Sequence, residues 1–290
     1  MNVGKIVKNA LRYPFKDWKK IFLLGIIFLI SSTLVDIAVF TQNNAEIGLL
    51  IIIGFLLVLL VYGYSLKMIK SSLTGGMNLP AFNNWIGMLA SGIKVMIVGI
   101  VFFIPIILVM ILAAILYPSN ITTIFEGIGI NPLAVAGSLL EAILIQGIGN
   151  LVPILVNVTD TAIVGSIALL YIIIITPVLL MAIARMADEN KLRKAFKLRK
   201  IFDKICIIGL DNFVEWYTIT GIIYLILFAM VNIFYFYVGP LMILILIPYY
   251  YIYQTRSIAL LYMTDKEFEA FIVNKKIVKD NNETEENLRK

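Results

Sequence analysis

The stretch Ile47-Gly-Leu-Leu-Ile-Ile-Ile-Gly-Phe-Leu-Leu-Val-Leu-Leu-Val-Tyr-Gly-Tyr-Ser-Leu66 decides the fold. It carries no charge over 20 positions and is followed at once by Lys67 and Lys70. A helix of that length spans about 30 Å, the thickness of a bilayer's hydrocarbon core. The run lacks the period-two alternation of a barrel strand, so a helix is the expected way to satisfy its backbone in lipid.

Five further runs have the same character: 21–40, 95–117, 161–184, 216–237 and 239–255. Pro105, Pro177 and Pro248 fall inside runs, where neighbouring helices can re-satisfy the carbonyls a proline frees. The first run exceeds the about 7–15 apolar residues of a signal peptide, so it reads as a retained span. The composition agrees. Of the 290 residues, 61% are hydrophobic and 14% charged, with a mean hydropathy of +0.96. A soluble domain is about 45–50% apolar and about 25% charged. The chain is therefore neither a soluble globular enzyme nor intrinsically disordered.

Charge fixes the orientation. The 24 Lys and Arg fall in four places: six up to Lys20, then Lys67, Lys70 and Lys94, then eight between Arg185 and Lys204, then seven from Arg256 onward. The intervening loops, 41–46, 118–160 and the turn at Val238, have none. Basic residues stay on the cytoplasmic side, so both termini are expected inside with six crossings. The inner side then holds 24 basic and 13 acidic residues, the outer side five acidic and no basic ones. The net charge of +6 thus reflects membrane polarity rather than nucleic-acid binding. A seventh crossing over 133–158 would put the eight basic residues after Ala184 outside. The segment 118–160 is therefore expected as an outer excursion, re-entrant or interfacial, with a short double crossing as the alternative.

The expected fold is all-α: a polytopic helical membrane protein with six transmembrane helices, as three helical hairpins with cytoplasmic interfacial amphipathic helices. Residues 1–262 form one membrane domain and 263–290 a polar cytoplasmic tail. Val3, Ile6, Val7, Ala10, Leu11, Phe15 and Trp18 make one apolar stripe, expected to lie on the inner leaflet. Ala195, Leu198, Phe202, Ile205 and Gly209 make another, widened by Ile201 and Ile208. Basic residues surround it: Lys191, Arg193, Lys194, Lys197, Arg199, Lys200 and Lys204. They are the candidate contacts for anionic headgroups, at about 1 kcal/mol each near a surface, although charge of this kind also simply sets topology. A threefold repeat is visible. Asp17-Trp18, Asn84-Trp85 and Glu215-Trp216 open the hairpins, and Lys70, Arg185 and Arg256 close them. Tyr249, Tyr250, Tyr251 and Tyr253 read as an inner aromatic belt. No Gly-x-x-x-Gly occurs, so that helix-pairing face is not expected.

Several segments resemble an archaeal multi-pass membrane family, domain of unknown function 4013. They are Ala10-Leu-Arg-Tyr-Pro-Phe-Lys-Asp-Trp-Lys-Lys20, Gly63-Tyr-Ser-Leu-Lys-Met-Ile-Lys-Ser-Ser-Leu73, Leu79-Pro-Ala-Phe-Asn-Asn-Trp85 and Gly92-Ile-Lys94. Ala195-Phe196 through Ile205, Trp216-Tyr217, Pro248-Tyr249 and Arg256-Ser257 extend the likeness. It runs from Lys5 to about Tyr262. The resemblance implies an archaeal cell-membrane location and brings no activity or site.

The chain has no histidine and one cysteine, Cys206, so the usual proton shuttle, a disulfide and a thiolate metal site are all out of reach. No glycine pattern suits a nucleotide. Polar groups within spans are the default functional pointers, and they are few. Asp36, Asp160, Glu141 and Asn232 are the candidate polar membrane positions. No enzyme, cofactor or metal is expected. The leading expectation is a non-catalytic scaffold that contacts membrane lipids or partner proteins. The alternative is a small permease with acidic residues at its outer mouth.

Overall fold

The computed structural model describes residues 2–40, 43–116 and 162–263, and the regular elements among them are helical. The expected outer excursion and the polar tail lie outside the described residues. In chain order the helices are α1 (Val3–Arg12), α2 (Trp18–Phe40), α3 (Asn44–Leu73), α4 (Trp85–Leu116), α5 (Ala162–Glu189), α6 (Leu198–Ile208) and α7 (Leu210–Tyr262). Short 3₁₀ turns at Pro14–Lys16 and Leu192–Lys194 join α1 to α2 and α5 to α6.

Local chemistry sets the helix ends. Asn2 and Asn43 cap α1 and α3 by accepting from the backbone N–H groups of Lys5 and Ala45. The Asp17 carboxylate accepts from the Lys20 N–H at the start of α2, and the Asn84 amide oxygen accepts from the Gly87 N–H at the start of α4. The first two Asp/Asn-Trp pairs of the repeat are therefore helix starts. The third is different: Glu215-Trp216 lies inside α7, which begins after Gly209 at φ 91°. Asn190, at φ 54°, follows the last residue of α5 in the left-handed conformation common at helix ends.

Four helical stretches among the described residues are long and apolar enough to cross a membrane: Ala45–Leu73, Trp85–Val109, Leu170–Glu189 and Leu210–Met230. Several helices overrun the expected spans at the end expected to be cytoplasmic. α3 continues past Leu66, α4 starts before Val95 and α5 continues past Ala184.

The segment expected as two helices, 216–237 and 239–255, lies within the single 53-residue helical element α7. A straight helix of that length would reach about 80 Å. Yet the Thr220 and Tyr253 hydroxyls are 3.3 Å apart, and the Tyr224 and Tyr250 rings are 5.4 Å apart. Residues 33 apart on a straight helix would be separated by about 50 Å. α7 therefore folds back on itself, and both pairs are centred close to residue 237.

α3 touches α2, α4, α5 and α7. α2 also packs on α7, and α4 on α5. The α3–α4 crossing is a backbone contact. A Cβ added to Gly63 would stand 1.8 Å from the Met88 carbonyl oxygen, and one added to Gly92 would stand 1.9 Å from that of Leu59. Two glycines on antiparallel helices thus make the close approach that the missing Gly-x-x-x-Gly left unexpected. Gly25 of α2 meets the Leu244 carbonyl of α7 in the same way.

Two interfacial expectations need correction. The α1 face formed by Val3, Ile6, Val7 and Ala10 is buried in the core that also contains Ile258, Leu260 and Leu261 of α7. It is covered by protein, because α7 continues beyond its apolar run and presents a complementary face. The tyrosines near the end of α7 are largely pins between helices rather than a lipid-facing belt. Tyr249 donates to the Leu11 carbonyl at 2.8 Å, Tyr251 to that of Val61 at 3.4 Å, and Tyr253 pairs with Thr220.

Candidate functional site

The segment between α3 and α4 contains Gly75, Gly76 and Pro80, which stop a helix, so its carbonyls need other donors. Six consecutive carbonyls, from Gly76 to Ala81, each accept from a side chain. Arg256 Nη1 bonds Gly76 O at 2.9 Å, Tyr13 Oη bonds Asn78 O at 2.9 Å and Tyr64 Oη bonds Pro80 O at 3.1 Å. Lys16 Nζ bonds Met77 O, Lys20 Nζ bonds Leu79 O at 2.7 Å and Lys67 Nζ bonds Ala81 O at 2.7 Å. Lys67 also donates to the Asn83 carbonyl and side chain.

The donors alternate, as the carbonyls of extended backbone do. Even positions meet Arg256, Tyr13 and Tyr64, all buried. Odd positions meet lysines: Lys16 is exposed, and Lys20 and Lys67 are half-buried. The loop is a strap, tied inward by one arginine and two tyrosines and outward by three lysines.

Arg256 is only 1% exposed and its guanidinium stacks 4.6 Å from the Tyr13 ring centroid. Burial lowers its pKa to about 10, opposed by the nearby Tyr13 hydroxyl, and it stays charged at neutral pH. Burial raises the Tyr13 pKa, against the pull of Arg256. At the rim, Asp17 pairs with Lys20 at 2.8 Å, which holds its carboxyl below the usual range. Exposed aromatics flank the strap. Trp18 stacks near Phe15 and Phe22, and Trp85 lies against Phe82, which packs on Tyr64.

The second basic region sits on α6 and the turn before it. Ile201, Ile205 and Ile208 point into the core, while Leu198, Phe202 and Ile207 are exposed. α6 thus has two apolar faces, where a single stripe was expected. Lys191, Arg193, Lys197, Arg199 and Lys200 are exposed. Lys194 joins Arg185 on Glu189, Lys200 approaches Asp203 at 3.5 Å, and Lys204 lies 4.8 Å over the Tyr262 ring.

None of the four candidate polar positions has a described side chain. Glu141 and Asp160 fall outside the described residues. Asp36 lies on α2 and Asn232 on α7, with only the backbone described at each. No group of His, Cys, Asp and Glu suited to a metal occurs among the described residues.

Sequence reading did not foresee the strap. Its signal was present in the segments that carry the family resemblance. Tyr13, Lys16, Asp17 and Lys20 come from the first, Tyr64 and Lys67 from the second, Leu79–Trp85 from the third and Arg256 from the last. Comparison with known families finds a match to one described as a protein of unknown function (DUF4013), over residues 47–236. The first and last of those segments lie outside the matched interval, yet the fold joins them to it. No curated protein and no solved structure matches the chain.

Proposed function

The chain belongs to the DUF4013 family, a family of unknown function, and from that premise we propose that it is a non-catalytic cell-membrane scaffold that engages anionic lipid headgroups at its cytoplasmic face. The observation that carries this reading is the division of labour on α6. One face, Ile201, Ile205 and Ile208, anchors the helix to the bundle. The other, Leu198 and Phe202, is left exposed beside Lys197, Arg199 and Lys200. That outer surface continues into exposed Leu210, Val214, Ile222 and Leu225 of α7, a face suited to acyl chains.

The proposed topology has six crossings with both termini cytoplasmic, supported by the charge map and by the fold-back of α7. The contacts favour a cyclic plan of three hairpins. α3, α5 and the second half of α7 are the inner helices, and α2, α4 and the first half of α7 are the outer ones. Each outer helix packs on its own partner and on the preceding hairpin's inner helix. α2 meets α7 through Gly25 and Leu244, α4 meets α3 through Gly63 and Gly92, and Tyr217 of α7 bonds the Ile173 carbonyl of α5 at 2.8 Å.

The test attaches an environment-sensitive fluorophore to Cys206, the one cysteine, which is exposed on α6. Reconstitution into phosphatidylglycerol vesicles should blue-shift it more than phosphatidylcholine does. High salt or Lys197→Gln/Arg199→Gln/Lys200→Gln should remove the difference. An unchanged spectrum in all conditions, with solute flux abolished by Asp36→Asn, would favour a permease instead.

A further inference from the structure

We propose that Lys94, on the exposed face of α4, anchors a bound lipid: its ammonium holds the phosphate of an anionic inner-leaflet lipid whose acyl chain runs along α4 over Val101 and Leu108. The proposal rests on the membrane reading above, but not on α6. Three observations carry it.

The first is an unanswered charge. Lys94 is exposed on a helix apolar enough to cross a membrane, and no hydrogen bond, ion pair or ring contact engages its side chain among the described residues. Lysines of the neighbouring segments are held: Lys20 by Asp17, Lys67 by Ala81 and Asn83, and Lys70 by Asn190. A cation at the edge of the hydrocarbon is costly unless an anion meets it, and the bilayer's own anion is the lipid phosphate. The second is depth. α4 starts at Trp85, which is 49% exposed, as suits a tryptophan at headgroup level. Lys94 lies nine residues further on, about 13 Å along the axis, whereas headgroups add only about 5–8 Å to each side of the core. Its backbone is therefore at acyl depth. Helical side chains lean toward the N-terminus and a lysine stem is apolar, so the ammonium reaches back to the phosphates. A soluble acidic protein would have to pass through the headgroup layer to meet it. The third is the shape of the face. Residues four and seven apart lie on one side of a helix. Ala90, one turn nearer the strap, is exposed and small, which leaves room for a headgroup. Val101 and Leu108, seven and fourteen residues deeper, are exposed in line with Lys94, while Val95, Val98 and Phe102 face the core.

The test places one fluorescent reporter beside the site. Trp18→Phe/Trp85→Phe/Val101→Trp leaves buried Trp216 as the unquenched background. The full chain is reconstituted in phosphatidylcholine vesicles containing brominated phosphatidylglycerol or brominated phosphatidylcholine. The phosphatidylglycerol should quench the reporter several-fold more effectively at equal mole fraction. Adding Lys94→Gln should weaken that preference by about fivefold, and Lys94→Arg should keep it. Equal quenching by the two lipids while Lys94 is present overturns the proposal, and so does a preference that survives Lys94→Gln. Lys197→Gln/Arg199→Gln/Lys200→Gln should leave the preference intact while removing the Cys206 response, so the two readings fail separately. If that triple variant abolishes the preference and Lys94→Gln does not, only the α6 reading stands. Diluting the protein tenfold in lipid should change nothing; a preference that emerges only on dilution would mean a second copy covers Lys94 and would overturn the lipid assignment. Excess soluble glycerol phosphate should not relieve the quenching; relief would mean the ligand is a water-soluble phosphate ester and would overturn it too.

Discussion

Replacing Gly63 or Gly92 with alanine should open the α3–α4 crossing. The new methyl at Gly63 would sit 1.8 Å from the Met88 carbonyl oxygen, against about 3.5 Å for ordinary contact, so the helices must part by roughly 1.5 Å. The obstacle is backbone on both sides, and no side chain can swing away. Overpacking of this kind costs about 1–3 kcal/mol, and a rigid obstacle places it near the upper end. Alanine's better helix propensity returns about 1 kcal/mol, leaving a net loss of about 2 kcal/mol. Gly99, on α4 with Gly92, is the control, because nothing lies within 4 Å of a Cβ there. Gly99→Ala should be neutral or stabilised by up to about 1 kcal/mol. The assay is reversible unfolding in mixed detergent micelles followed by circular dichroism. The double variant should lose less than the sum of its parts, since helices already parted by one methyl accommodate the second. If Gly63→Ala unfolds within about 0.5 kcal/mol of Gly99→Ala, or if the two substitutions add, the backbone-contact argument fails.

Other outcomes follow from the strap and core. Arg256→Lys keeps the charge but not the guanidinium fork that lies over the Tyr13 ring while bonding Gly76, so it should cost about 1–3 kcal/mol in the same assay. Trp216 Nε1 is buried with no hydrogen-bond partner among the described residues, so Trp216→Phe should remove a desolvation cost along with some contact area and shift the thermal midpoint little. A large drop would mean the indole N–H has a partner. Asp17 has a depressed folded pKa, so its contribution is present above the usual carboxylate range and is lost as pH falls through the folded value. Thermal melts of wild type and Asp17→Asn should therefore differ at neutral pH and converge in acid. In Cys206→Ser protein, a cysteine at Asn131 should react with an impermeant maleimide from outside intact cells; labelling from the cytoplasmic side alone would reverse the proposed orientation.

Much of the helical architecture was legible because lipid leaves the backbone few options. Apolar run lengths located the helices of α3, α4, α5 and the first half of α7. What the sequence hid was which surfaces meet. The α1 stripe of Val3, Ile6, Val7 and Ala10 has the same period whether it faces acyl chains or the end of α7. Periodicity measures amphipathicity and carries no information about the partner. Gly63 and Gly92 were invisible as a pair for a related reason: their spacing exists only across two helices. The repeat was legible at Trp18 and Trp85, where a capped helix start fixes the tryptophan at the rim. It was misleading at Trp216, where α7 begins earlier and carries the ring into the core.

The positive charge at the strap end of the bundle also separates into populations that sequence counting merges. A cation costs free energy to bury unless donors and acceptors replace its water. Arg256 meets that demand with a carbonyl and an aromatic face, and so it is structural. Lys16, Lys20 and Lys67 stay at the rim, where the strap carbonyls orient them. Lys197, Arg199 and Lys200 stand clear of the bundle on a helix already anchored by its other face. All three groups satisfy the same topological bias, so a charge count treats them alike. Their different burial predicts different responses to salt. Screening should weaken the proposed lipid contacts at α6 and leave the Arg256–Tyr13 contact largely unchanged, because buried pairs are screened much less. Unfolding in salt therefore distinguishes the residue that holds the fold from those proposed to meet lipid.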